Sequence, residues 1–138
     1  MVDLATIEAE RAARKEALAE ARAAQYAVDL SHLNDLEIER GDENVASVDV
    51  GRYSPGLPTM VVVRPCTRLE LKRFRDRTKQ EGSDAGAAAE EAALSALLYP
   101  AKESPEWKAL IEAVPGMAIR AGVAAVQLAA GVESKEGK

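Results

Sequence analysis

The chain carries one histidine, His32, and one cysteine, Cys66, so the reactive chemistry open to it is narrow. A histidine-based catalytic triad or a multi-histidine metal site needs more than it has. His32 is flanked by Ser31 and Asp35, which could form a proton relay, but the pattern is that of a partly exposed histidine on a helix surface. Cys66 lies between Arg64 and Arg68, just ahead of a helix start. Nearby cations and a helix N-terminus lower a thiol pKa, so the expectation is a lowered value. No base accompanies it, and a packing role is the reading adopted. The acidic pairs Glu90-Glu91 and Asp42-Glu43 lack calcium-loop spacing and read as a solvated face and a turn. No glycine-rich phosphate cradle is present.

The remaining side chains with a chemical signature are basic. Arg68, Lys72, Arg75 and Lys79 follow the spacing i, i+4, i+7, i+11 and share one helix face. Leu71, Phe74 and Thr78 share another, and Glu70 and Asp76 dilute the charge. On nucleic acid such a face would contact phosphates. Aromatic interleaving is missing and the net charge is −5, so a solvated or protein-docking face is the expectation. Tyr99 and Trp107 straddle Pro100 and suit either interface anchors or lids over a helical core, the core reading coming first. Met117, Ala121, Ala124, Ala125 and Leu128 form an apolar stripe that Ile119, Val123 and Val126 widen. A stripe so wide predicts a helix buried on more than one side.

The elements that must position these residues are legible in part. Length of 138 residues is that of one domain. Hydrophobic residues make up 47%, but much of this is alanine, with a single Phe and a single Trp, so the core is expected to bury little area and to be marginal without a partner. Residues 3–28 are helical by composition, with sparse apolar anchors at Leu4, Ile7, Leu18 and Tyr26 and a favourable Glu10–Arg14 spacing. They form an arm either loosely docked or extended toward a partner. Residues 29–44 fit a continuing helix through Leu30, Leu33 and Leu36, or a short strand at Leu36 and Ile38; helix to about Glu39, stopped by Gly41, is preferred.

Residues 45–50 and 59–63 read as two strands around the Gly/Pro-rich loop 51–58. Thr67 and Glu70 match a capping box that opens a helix running to about Gln80. Ser83 or Asp84 caps a helix over 85–98, which Pro100 ends. Ser104-Pro105 starts another, reaching about Ala113. The last runs from near Pro115 to Ala130, with Gly131 beyond it and a polar, frayed tail. The fold expected is α+β, predominantly α: an N-terminal helical arm (1–40), a two-stranded antiparallel β-hairpin (41–66), a C-terminal bundle of about four helices (67–132) and a flexible tail (133–138). No apolar run reaches the length of a membrane span and no signal-peptide core follows Met1, so a cytosolic protein is expected.

The layout from 59 to 131 carries a resemblance. An apolar strand followed by Arg64-Pro65, the basic helix from Arg68 to Phe74, a helix ending Leu97-Leu98-Tyr99-Pro100, then a Trp/Leu helix, Val114-Pro115-Gly116 and a final Leu-Ala-Gly resemble tail assembly chaperones of tailed bacteriophages and prophages. The resemblance implies a small, acidic, helix-rich, non-enzymatic protein in the host cytoplasm. It implies binding of the tape-measure protein and the tail-tube subunit before assembly, with self-association possible and no cofactor, metal or membrane. Candidate partner-binding residues are Arg68, Lys72, Phe74, Arg75, Lys79, Tyr99, Trp107, Met117 and Leu128. The charged N-terminal helix and the loop 51–58 depart from the pattern. They would equally suit a structural virion protein such as a head–tail connector or tail accessory. A small nucleic-acid-binding regulator using the basic helix is a further alternative, and nucleic acid is not the expected partner.

Overall fold

The computed structural model describes residues 2–80, 82 and 84–131. The expectation of a frayed tail at 133–138 lies outside these residues, as does Ser83.

Helix α1 (Leu4–Arg40) is one unbroken run. No Gly or Pro interrupts it, and alanine supports it as far as Ala27. Asp3 caps its start by accepting from the Ala5 N–H. Gly41 closes it at φ 96°, a backbone conformation that L side chains rarely adopt, and returns its N–H to the Glu37 carbonyl at 2.8 Å. At 1.5 Å per residue α1 is roughly 55 Å long. A 3₁₀ turn (Asp42–Asn44) leads into β1 (Ala46–Asp49), and the loop 51–58 returns the chain as β2 (Met60–Val63). Then follow α2 (Arg68–Lys79), α3 (Ala85–Ala96), β3 (Leu97–Tyr99), α4 (Pro105–Ala113) and α5 (Met117–Ala129).

The expected hairpin is a three-stranded antiparallel sheet, order β1-β2-β3. Residues 97–98 were expected to end a helix; instead Leu97 pairs with Val63 and Tyr99 with Val62, across a register irregularity. The physical reason is the second edge of β2. Once β1 pairs with one side of β2, its other side is a row of unpaired amides and carbonyls. The chain leaving α3 passes there, and the Arg64 N–H reaches the Ala96 carbonyl at 3.0 Å.

All four residues of β2 are buried, because both faces of the sheet are covered. Val61 and Val63 face the helical bundle, packing with Val48, Cys66, Trp107, Leu110, Met117 and the alanines of α3 and α5. Met60 and Val62 face the other way, with Val45, toward Leu33 and Leu36 of α1 and toward Leu98 and Tyr99. A strand covered on both faces needs no alternation, which is why the run at 60–63 is apolar throughout. The arrangement is therefore three layers: the second half of α1, the sheet, and the bundle.

In the bundle, α3 and α5 meet through small residues. Ala88, Ala89, Ala92, Ala93 and Ala96 are buried on α3, and Ala118, Ala121, Gly122, Ala124 and Ala125 on α5. A Cβ at Gly122 would lie 1.8 Å from the Ala89 carbonyl oxygen. The stripe that buries α5 thus runs through Ala118 and Gly122. Ile119 and Val123, expected to widen the buried side, are 37% and 39% exposed. Helix α4 starts as expected: Ser104 accepts from the Trp107 N–H and Pro105 follows at N1.

Candidate functional site

Helix α2 presents the basic face as a consequence of its cap. Thr67 accepts from the Glu70 N–H, while a Glu70 carboxylate oxygen accepts from the Thr67 N–H at 2.8 Å. The same carboxylate is held by Arg64, whose guanidinium donates to both oxygens at 2.7 and 3.0 Å and to the Ser95 carbonyl at 2.6 Å. Start of α2, end of β2 and end of α3 are thereby tied together. Leu71 and Phe74 pack against the core, so Arg68, Lys72, Arg75 and Lys79 all point outward and are exposed. Arg77 forms an ion pair with Glu91 of α3.

The Arg64 hydrogen bond, with the Thr67 amide contributing against the opposing cost of burial, holds the Glu70 carboxyl well below its ordinary 4.5, at about 2. A carboxyl whose folded pKa is depressed stabilises fully above its unfolded pKa and loses that contribution as pH falls through the folded one. Acid unfolding followed by circular dichroism should therefore show wild type more stable than Glu70→Gln near neutrality. The gap should narrow between about pH 4.5 and pH 2. A gap that stays constant across that window would refute the linkage.

A second cluster lies where α1 meets the sheet, at a residue that sequence reasoning passed over. Asp29 is 0% exposed. One of its oxygens accepts from the Thr59 N–H at 2.6 Å and from the Thr59 hydroxyl at 2.5 Å. The other accepts from Gln25 Nε2 at 2.9 Å and from the Tyr99 hydroxyl. Burial, then the hydrogen bond to Asp29, pushes the Tyr99 phenol above its ordinary value. His32 stacks on the Tyr99 ring, centroids 4.6 Å apart, and its residue stays exposed. Gln25, His32, Tyr99, Pro100 and Glu106 line a cleft of about 330 Å³. With four donors on one carboxylate, the group is committed to holding α1 against β2 and β3. The available signal was helical spacing: Asp29 lies four residues before Leu33 and seven before Leu36, on the face that docks. Leu30, one of the residues that fit a continuing helix, is 42% exposed.

Other candidates are placed by the core. Trp107 is 5% exposed and Met117 0%, so both spend their surfaces inside the protein, and Met117 is corrected from a partner contact to a core residue. Leu128 is half-buried beside the bundle. Cys66 is buried, its N–H bonded to the Ala125 carbonyl. Burial, reinforced by Glu70 and opposed by Arg64, pushes its thiol up, which corrects the expectation of a lowered value. Desolvation outweighs the cation because the side chain faces the core. Among the described residues no group of three His, Cys, Asp or Glu is placed to hold a metal ion. No single described helix is long and apolar enough to cross a membrane.

Among the described residues, the first half of α1 is a long exposed stretch. From 4 to 20 no residue is buried, and only Ile7 is half-buried. The arm thus divides: its second half docks on the sheet, and its first half extends past it. Glu10 and Arg14, spaced for a pair, form no ion pair with each other. The fold and surfaces define an α+β protein, predominantly α, with a docked helix that overreaches its own core. Comparison with known proteins produced no match, whether to protein-family models, curated proteins or solved structures.

Proposed function

We propose that this chain is a non-enzymatic binding protein that holds a partner during assembly, and that it acts as a tail assembly chaperone of a tailed bacteriophage or prophage. The reading of a tail chaperone comes from the layout of 59–131. The observation that carries the binding role is α1: residues 4–20 form a helix with no buried residue, carried on a well-anchored second half. Helices of this length gain most of their stability from packing an amphipathic face, so a free helix is a surface suited to receiving another chain. The exposed face of α2, with Arg68, Lys72, Arg75 and Lys79, adds a second surface that could meet acidic segments of a client. Such a protein works in the host cytoplasm and takes the tape-measure and tail-tube proteins as clients.

The test is co-expression with the tape-measure protein of the same phage or prophage, followed by affinity capture and analysis of purified particles. A soluble complex, with the protein missing from mature virions, is the expected result. Absence of any complex, with stoichiometric recovery in virions, would replace the chaperone reading with that of a structural virion protein.

A further inference from the structure

The stripe of α1 that docks on the sheet runs through Gln25, Asp29, Leu33 and Leu36. Continuing the same 3.6-residue periodicity toward the N-terminus brings Arg22, Leu18, Lys15, Arg14, Arg11, Ile7 and Leu4 to that side. Four cations and three large apolar residues thus share one face. Glu16 and Glu20 fall on the opposite face and Glu10 on the flank, while Glu8 is the one acid at the edge of the cationic face, as far from its centre as Arg14. Over residues 4–22 the charges balance in number but not in space. None of the four cations forms a hydrogen bond or ion pair with a described residue. Leu4 is 68% and Leu18 43% exposed. Beside Leu18 and Ala21, Pro55 of the β1–β2 loop forms the far wall of a groove that Arg14 and Lys15 also line.

We propose that residues 4–22 are a docking rail for an acidic amphipathic helix of a partner protein, an inference that rests on the binding role above and names its surface and partner chemistry. A helix lying along the rail seats apolar side chains on Ile7, Leu18 and Ala21, with one directed toward Pro55. Its flanking carboxylates then meet Arg11, Arg14, Lys15 and Arg22. The rail is about 28 Å long, enough for five turns of helix against helix. A second copy of this chain is a poor occupant. Antiparallel pairing that sets Ile7 on Leu18 also sets Arg11 on Arg14 at the centre of the seam, with the attractive Glu10–Lys15 pair out at the flank, and parallel pairing sets each arginine on its own counterpart. An anionic membrane surface is a poor one too, because three large apolar residues separated by cations and alanines offer little area to insert.

The test uses the full chain and two synthetic helical peptides with the same Leu/Ala seam, one flanked by Glu and one by Lys, followed by fluorescence anisotropy. Wild type should bind the Glu peptide in a salt-sensitive manner. Arg11→Glu/Arg14→Glu/Lys15→Glu should weaken that binding about tenfold or more and gain affinity for the Lys peptide. Circular dichroism should show the variant folded, since it alters no buried residue, and Leu18→Gln should weaken binding without touching charge. Equal binding of the two peptides, or indifference to charge reversal, would overturn the proposal. So would rail-dependent binding to phosphatidylglycerol vesicles or to DNA in place of the Glu peptide, or a dimer that the reversal abolishes. Capture of the tape-measure protein separates the two levels: a client retained by the reversed variant removes the rail but leaves the binding role, and a client not held by wild type removes the binding role itself.

Discussion

Asp29→Ala should lower the unfolding free energy by about 2–5 kcal/mol, because the two buried Thr59 donors that it leaves unsatisfied each cost about 1–3 kcal/mol. The substitution removes an acceptor that four donors share and leaves the Thr59 N–H, the Thr59 hydroxyl, the Tyr99 hydroxyl and the Gln25 amide facing a void. Each unsatisfied buried donor costs about 1–3 kcal/mol, and the exposed end of the cluster recovers part of this through water. The apolar contacts of Leu33 and Leu36 with Val45, Met60 and Val62 remain, so they set how far α1 lifts away. Urea denaturation gives the magnitude. Amide hydrogen exchange gives the place: protection should fall first along the docked half of α1 and at β3, before the bundle. A loss under about 1 kcal/mol, with protection unchanged at α1, would show that Asp29 is not the latch described.

Gly122→Ala should also destabilise, although glycine is a poor helix former. Replacing an interior helical glycine with alanine gains about 1 kcal/mol in propensity. Here the new methyl would sit 1.8 Å from the Ala89 carbonyl oxygen and 2.6 Å from its carbon. Those are backbone atoms of α3, which cannot rotate away, so the two helices must separate. Separation loosens every alanine contact along the interface, and small residues have no long side chains to fill the gap. Overpacking of this kind costs about 1–3 kcal/mol and occasionally more. A 1.8 Å approach to backbone puts the cost at the upper end of that range, so the clash outweighs the propensity gain and a net loss of about 1–2 kcal/mol is expected by thermal or urea unfolding. A variant as stable as wild type would mean that α3 and α5 are not packed as closely as described.

These two sites bear on function through rigidity. The rail on α1 presents a fixed face only if Asp29 holds the second half of the same helix. The basic face of α2 keeps its orientation only if α3, to which Arg77 is paired, stays against α5. A helix interface built of alanine, as between α3 and α5, gains little per side chain from area buried. It depends instead on close approach, and one glycine and one carboxylate carry an unusual share of the specificity.

Much of the local structure is legible in residue types alone. The capping box at Thr67 and Glu70, the start at Ser104-Pro105, the stop at Gly41 and the helix through residues 29–40 follow from hydrogen-bond geometry and backbone preference, which act over a few residues. The first two strands follow from their β-branched apolar residues on either side of a Gly/Pro-rich loop, and the outward face Arg68, Lys72, Arg75 and Lys79 follows from periodicity. What needed the tertiary structure is whatever depends on a distant partner. Leu97, Leu98 and Tyr99 leave the helix because β2, more than thirty residues earlier, offers them a free edge. Asp29 is buried because Thr59 and Tyr99 arrive with donors, and a carboxylate in a helix otherwise reads as exposed. The Cys66 thiol is pushed up rather than down because the core, not solvent, surrounds it. Even α1 is divided this way: its sequence made it one helix from Leu4 to Arg40, while only the position of the sheet decided which half is docked and which is left exposed.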